Sequence, residues 1–458
     1  MKKKVFLALV VLVLLGLALP VYNLIEPLPL SRLTEVKAAN PETEAVIAVL
    51  QKKCMSCHTA NPILPFYAKL PIAKQLMDRD IRLGSSHMNY VEEFLPETPR
   101  SVSEVALAKT EYVVNHNLMP PPQYLIMHWN HTISNSDKAT FKAWITKERL
   151  DRFGVEGISS SVTANVVRPV TQIAKTEPAK VALGDKLFHD KRLSKDNSLA
   201  CAGCHDLAKG GTDQDPVSTG VGDQKGPINA PTVYNAVYNV LQFWDGRAAD
   251  LQAQADGPVN NPKEMASNWD EAIPKLKEDP ELTAAFNEVY VESYTKDTIT
   301  EAIAEFEKTL VTPNSPFDKY LMGQEDALTA DQKKGYALFL ENRCATCHCG
   351  AAMGGQSFEK MGLRADYFGD RGHPTDADLG RYSVTKKDED KNKLKVPVLR
   401  NIAKTFPYLH DAATSDLKEA VAIMAKYQVG KVLPDADKAS IASFLESLTG
   451  EYKGQPLP

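Results

Sequence analysis

The sequence has no surplus of basic residues. Its 53 Lys and Arg are outnumbered by 58 Asp and Glu, for a formal net charge of −5. No Lys/Arg footprint of the kind that grips a phosphate backbone remains, which excludes nucleic-acid binding as the task of this chain. Strand signals are few and short, so a sheet-built architecture is excluded and a mainly α chain with long loops is left. Cysteine is almost absent outside one spacing, since six of the seven cysteines fall in three Cys-x-x-Cys-His motifs. The seventh, Cys349, directly follows His348. An odd thiol of this kind reads as a free, partly buried side chain, and it is given no role. What is present is enough for a folded protein, with 43% hydrophobic and 24% charged residues over a length of 458, which suggests about three domains.

The motifs are Cys54-Met-Ser-Cys57-His58, Cys201-Ala-Gly-Cys204-His205 and Cys344-Ala-Thr-Cys347-His348. Two thiols at this spacing form thioethers to the two vinyl groups of a haem, and the adjacent His reaches the iron. Any one motif alone could hold zinc or act as a redox dithiol. Three copies, each with His in the next position, predict three covalently bound haem c groups. After the second motif, no His or Met up to Met265 stands out as a second iron ligand. An acid, Glu264, an amide, Gln254, and an indole, Trp244, stand there instead. An iron with an open face and a carboxylate nearby is an enzyme's arrangement, not a plain electron carrier's.

Lys2, Lys3 and Lys4 precede an apolar run from Val5 to Ile25, interrupted by Gly16, Pro20 and Asn23. No small-x-small cleavage site follows, as a secretory signal would need. The run is long enough for a hydrocarbon core of about 30 Å. The expectation is an uncleaved anchor over residues 1–26. It would be one transmembrane helix of the inner membrane, with the lysines cytoplasmic and the haem domains facing the periplasm.

A Pro-rich, polar tether, 27–44, leads into a first haem unit, 45–156. Helices are predicted there over Ala45–Lys53, Ser103–His116 and Asp137–Leu150. Asn117-Leu-Met119-Pro-Pro-Pro122 resembles the sixth-ligand loop of small cytochromes c, so Met119 is the candidate second ligand opposite His58. His87, His116, His128 and His131 are its competitors, each read as an ordinary polar or core His. Residues 157–178, rich in Ser, Thr and Val without helical period, read as a linker. Beyond it lies a faint internal repeat. Gly184-Asp-Lys-Leu-Phe188 precedes the second motif and Gly335-Tyr-Ala-Leu-Phe339 the third, and a Gly pair follows each, Gly210-Gly211 and Gly354-Gly355. Two related cytochrome-like domains, 179–320 and 321–458, are expected. Capping boxes are predicted at Thr298/Glu301, opening a helix to Leu310, and at Thr329/Gln332. A further helix over Asp416–Tyr427 carries Met424, which with His410 competes to be the second ligand opposite His348. The fold class expected is therefore mainly α, with three cytochrome c-like haem domains after the N-terminal transmembrane helix.

The runs Gly226-Pro-Ile-Asn-Ala-Pro-Thr-Val233, Gln242-Phe-Trp-Asp-Gly-Arg-Ala-Ala-Asp250 and Asn261-Pro-Lys-Glu-Met265 closely resemble the bacterial dihaem cytochrome c peroxidases. The resemblance runs from about Val181 to about Leu448. The added N-terminal haem segment resembles the trihaem, membrane-anchored branch known as quinol peroxidases. The resemblance implies reduction of hydrogen peroxide to water at the haem carried by Cys201, Cys204 and His205. Glu264 would be the acid–base group, Gln254 would orient peroxide, and Trp244 would lie between two haems. Electrons would enter at the haem of Cys54, Cys57, His58 and Met119 and pass to that of Cys344, Cys347, His348 and Met424. One Ca²⁺ is implied at Asn229 with the main-chain oxygens of Thr405 and Pro407. The implied donor is membrane quinol, with a small soluble cytochrome c as the rival and a homodimer left open. A non-catalytic multihaem carrier is the alternative reading. A branch that oxidises a partner protein has Tyr in place of the ligand Met, and Met424 speaks against it. One departure stands out. In many relatives a His after the peroxidatic motif blocks the iron until another haem is reduced. Leu207 to Lys225 contains no His, and Val221 stands at that place. An open iron that needs no prior reduction is the expectation.

Overall fold

The computed structural model of the chain describes residues 2–26, 30–96, 101–171, 174–291 and 294–458. The chain divides into two units, Met1–Gly154 and Val155–Pro458.

In the first unit, three helices form where the sequence supplies start signals. Asn40 accepts the Thr43 N–H at 2.8 Å and Pro41 opens helix Pro41–Lys53, a cap followed by a residue whose missing N–H costs nothing at that position. Ser103 caps helix Glu104–Asn115, and a Ser134/Asp137 capping box opens helix Asn135–Phe153. Their apolar faces meet in a core of Val46, Leu50, Leu107, Phe141 and Trp144. Leu33, within the stretch expected to be a tether, is fully buried in the same core. A helix that the sequence reading does not mark, Pro71–His87, buries none of its residues fully. It runs close to the first haem motif, where a Cβ on Gly84 would lie 2.6 Å from the Cys57 carbonyl oxygen.

The N-terminal run is helical over Lys2–Ile25. Among the described residues, however, no helix is long and apolar enough to cross a membrane. The expected transmembrane anchor is overturned, and with it the single-pass inner-membrane location. The physical reason lies at the end of the run. Pro20 and Asn23 are buried. Asn23 Nδ2 donates to the Met127 carbonyl at 2.9 Å, the Tyr67 hydroxyl donates to Asn23 Oδ1 at 3.1 Å, and Tyr22 stands edge-on to Phe66. The last turns thus pack on the first unit.

The second unit contains the repeat. Helix Pro178–Phe188 crosses helix Lys296–Glu307, and helix Ala330–Glu341 crosses helix Asp435–Glu446. Each crossing is closed by the repeat's glycine. A Cβ on Gly184 would come within 1.9 Å of the Ala302 carbonyl oxygen, and one on Gly335 within 1.9 Å of that of Ser440. Phe306 and Phe444 occupy matching places beside them. The Thr329/Gln332 capping box forms as expected. The other starts a turn earlier, with Thr295 as the cap and Thr298 as its partner. Ile299, Ile303, Phe306 and Leu310 are buried, as their spacing predicts. Two short antiparallel pairs, Phe358–Lys360 with Lys393–Lys395 and Glu451–Tyr452 with Gln455–Pro456, make up the sheets among the described residues. In the expected linker, Val167 is fully buried and Arg168 N–H donates to the Gly350 carbonyl.

Candidate active site

All three Cys-x-x-Cys-His motifs fold as one tight turn. The His N–H donates to the carbonyl of the first Cys at 3.1 Å in Cys54–His58, 3.0 Å in Cys201–His205 and 2.9 Å in Cys344–His348. All six thiols are partly exposed and none is in a disulfide. Each imidazole is held through Nδ1 by a carbonyl further on. His58 meets Met88 at 3.0 Å, His205 meets Gly211 at 3.4 Å and His348 meets Met353 at 3.2 Å. A carbonyl only accepts, so Nδ1 carries the proton and Nε2 keeps its lone pair. This is the tautomer an iron ligand needs, set by its second hydrogen bond. Burial pushes all three imidazoles downward, His348 to about 4. Neutral, oriented imidazoles beside paired free thiols fit haem c in each case.

Glu264 lies after helix Leu251–Asn260, which Asp250 caps and which carries a half-buried Gln254. Asn261 Nδ2 donates to Glu264 Oε1 at 2.6 Å. Burial raises the Glu264 carboxyl above the ordinary range, opposed by the Arg247 guanidinium and the Asn261 bond. The charge of Glu264 is felt at the Cys204 thiol, which places it on the side of the second motif. The Val221 N–H donates to the Glu264 carbonyl at 2.8 Å, so the loop without a His is tied to the backbone of this acid.

Trp244 joins the two repeats of the second unit. Its indole N–H donates to the Asn229 carbonyl at 2.8 Å, and its ring lies edge-on to His410 at 6.2 Å. It packs in one cluster with Met361, Tyr367, Tyr427 and Met424. Asp416 caps the helix Leu417–Met424 that ends on that methionine. His410 has both ring nitrogens directed at carboxylates, Nε2 at 2.8 Å from Asp378 and Nδ1 at 3.9 Å from Asp411. Burial pushes the Asp378 carboxyl up, but hydrogen bonds from Arg371, the Thr375 N–H and His410 hold it well below its ordinary value. Asn229 is buried, with its N–H on the His410 carbonyl and its amide on the Asp215 carbonyl. Thr405 and Pro407 lie on the loop that leads to His410. In the first unit, Met119 is 38% exposed. Two of its rivals are committed elsewhere. His116 stacks on Tyr112, and His128 uses Nδ1 on the Tyr124 carbonyl and Nε2 on the Tyr67 hydroxyl.

Several polar groups were not legible in the sequence. Lys395 is buried with Nζ on the Leu241 carbonyl at 3.2 Å, and burial pushes it down to about 7. Its N–H donates to the Trp244 carbonyl. Glu307 is buried, with one carboxyl oxygen lacking a hydrogen-bond partner among the described residues. No motif marks either residue. A buried charge on an apolar helix stripe was the only available signal, and only for Glu307.

Residues 178–326 match the di-haem cytochrome c peroxidase family, and residues 12–147 match a haem-binding domain family. The chain is 49% identical over 428 residues to cytochrome c peroxidase Ccp of Escherichia coli strain K12, covering 92% of this chain and 91% of that protein. It is 43% identical over 293 residues to cytochrome c551 peroxidase of Nitrosomonas europaea, covering 64% and 86%. A solved MauG-like protein associated with microbial copper homeostasis superposes with a TM-score of 0.55 at 28% identity, covering 62% of this chain and 93% of that one. With oriented imidazoles in three haem motifs and this identity over almost the whole length of a peroxidase, the chain belongs to the di-haem cytochrome c peroxidase family and is a haem peroxidase, an oxidoreductase that acts on hydrogen peroxide.

Proposed function

We propose that the chain carries three covalent haem c groups, takes electrons from a hydroquinone at its first unit, and reduces peroxide beside Glu264. The observation that carries the catalytic part is the half-buried, raised carboxyl of Glu264 on the Cys204 side of the second motif. Haem, when bound, supplies the iron that binds peroxide and delivers electrons to it. Cys201 and Cys204 tether that group and His205 Nε2 ligates it. Glu264 takes a proton from the near peroxide oxygen and returns it to the departing one, a task suited to a carboxyl that burial holds above its ordinary range. Gln254 orients the peroxide by its amide. Val221 offers no side-chain atom that could ligate the iron in place of peroxide. Trp244 relays electrons from the haem of Cys344, Cys347 and His348. There Met424 is the second ligand, since His410 is engaged by Asp378 and Asp411. Met119 would be the second ligand of a haem held by Cys54, Cys57 and His58. The side-chain oxygen of Asn229 and the carbonyl oxygens of Thr405 and Pro407 hold one Ca²⁺, a hard cation that prefers such ligands.

The hydroquinone donor is supported by the resemblance of the first haem segment to the trihaem branch. The second reading is a small cytochrome c donor, favoured by relatives named cytochrome c551 peroxidase. The test compares peroxide turnover with decylubiquinol and with reduced cytochrome c, starting from fully oxidised protein. It uses the intact chain and His58→Ala, with haem counted per chain. Expected are three haems in the intact chain, no lag before turnover, and hydroquinone turnover that is lost in His58→Ala. Faster turnover with the cytochrome, or hydroquinone turnover that survives loss of the first haem, would reject this donor.

A further inference from the structure

The first unit contains a buried polar chain that no haem ligand uses. Tyr124 Oη lies 3.0 Å from Ser56 Oγ, inside the Cys54–Cys57 motif, and 2.9 Å from His131 Nδ1. The Tyr124 ring stacks on His128 with centroids 3.9 Å apart, and His128 faces His131 at 5.2 Å. His128 Nδ1 donates to the Tyr124 carbonyl, so its Nε2 lone pair faces the Tyr67 hydroxyl at 3.4 Å. Tyr67 also reaches Asn23. Both imidazoles are buried. Burial holds both below the ordinary value, His131 at about 4, with His128, Lys52 and Lys53 adding to the effect on His131. Both are neutral bases: His131 faces the Tyr124 hydroxyl, and His128 lies beside the Tyr67 hydroxyl, whose O–H is given to Asn23.

Three large apolar side chains close to this chain in sequence are exposed. Phe66 is 60% exposed, Ile126 66% and Trp129 46%. Each is a close chain neighbour of a buried polar group, with Phe66 beside Tyr67, Ile126 two residues before His128, and Trp129 two before His131. Tyr22 stands edge-on to Phe66 at 5.3 Å, and the Trp129 indole N–H is held by the Ile126 carbonyl. Exposed apolar side chains flanking a phenol–imidazole chain, which a hydroxyl connects to a haem motif, have the parts for one reaction class. A hydroquinone has an apolar ring and two O–H groups. Its oxidation to quinone breaks both O–H bonds and releases two protons and two electrons. A haem iron accepts only electrons, one at a time, so the two protons need bases near the ring.

We propose that Phe66, Ile126 and Trp129 seat a hydroquinone. In this site His128 and the Tyr124–His131 pair take its two protons, while its two electrons leave singly to the iron held by His58. This rests on the hydroquinone donor reading, and the experiment separates the two. Holoprotein is mixed with decylubiquinol and haem reduction is followed by stopped flow in H₂O and D₂O. Reduced hexaammineruthenium, which gives an electron without a proton, is the control. Tyr124→Phe and His131→Gln are expected to slow reduction by decylubiquinol at least about 10-fold, within the usual reach of acid–base assistance. They should also diminish the solvent isotope effect and leave the ruthenium rate unchanged. Ile126→Glu, at an exposed position, is expected to raise the half-saturating decylubiquinol concentration at least about 10-fold at unchanged ruthenium rate, because a charge is placed in an apolar contact. If the native protein is reduced by decylubiquinol but all three variants match it in rate, saturation and isotope effect, the site is rejected and the donor stands. If the native protein is reduced by a cytochrome c and not by decylubiquinol, donor and site fall together. If the buried variants lose haem, Ile126→Glu decides alone.

Discussion

The two units differ in how completely they pair buried charge. In the first, Arg149 is fully buried and binds Glu104 at 2.9 Å and Glu111 at 2.7 Å, and the buried Lys53 binds Asp137 and the Thr132 carbonyl. In the second, Arg400 and Asp318 are paired in the same manner. Yet Glu264 has an amide and a distant guanidinium, Lys395 has a carbonyl, and Glu307 has an oxygen with no partner among the described residues. A paired buried charge supports one packing arrangement and is costly to break. An unpaired one is held away from its ordinary protonation equilibrium, the state in which a proton is moved with least effort. On the proposed function, the difference sets the proton chemistry of peroxide reduction in the second unit, while in the first the paired charges lock helices.

The sharpest way to break this comparison is at the unpaired acid. Glu264→Gln keeps the shape and the Asn261 contact but removes the exchangeable carboxyl proton. Peroxide turnover is expected to fall about 10²–10⁴-fold, the usual span for loss of acid–base help, with haem content and unfolding midpoint unchanged. Turnover close to normal would make Glu264 a loop acid and erase the contrast.

The paired charges are expected to do the reverse. Arg149→Ala strands Glu104, which is 3% exposed, and breaking such a buried pair costs about 3–5 kcal/mol. Urea unfolding followed by hydrogen exchange in helix Asn135–Phe153 should show that loss. Peroxide turnover driven by a small inorganic reductant should remain at the native value. A stability change well below about 1 kcal/mol would mean that water takes over from Arg149, as at an exposed pair.

What the sequence disclosed follows the range of the physics involved. The haem motifs, the Thr329/Gln332 box and the Gly184 and Gly335 repeat are local patterns or direct steric needs, and the structure reproduces them. The Thr298 box slipped by a turn because Thr295, a cap of equal quality, precedes it. The N-terminal run was misread because hydropathy scores residues one by one. What fixes Asn23 in the first unit is contact with Tyr67 and Met127, 44 and 104 residues away. The phenol–imidazole chain was invisible for the same reason. Tyr67, Tyr124, His128 and His131 share no period, and each alone is an ordinary polar side chain.

The smallest expected effect is also the most direct measure of an unpaired charge. Burial raises the Glu307 carboxyl from 4.5 to about 8, with no other cause acting on it. Between those values the folded chain holds a proton that the unfolded chain has released. Stability therefore falls as pH rises, by linkage. The contribution is full below 4.5, declines as pH rises toward 8 and is constant beyond that. Glu307→Gln cannot titrate, so its curve lacks this slope. Urea midpoints of the two proteins should diverge steadily from about pH 5 to about pH 8, with the variant gaining on the native chain, while peroxide turnover at a fixed pH stays near native. Parallel midpoints across that window would show that Glu307 has a counter-charge in the holoprotein, and would place it with the paired charges of the first unit.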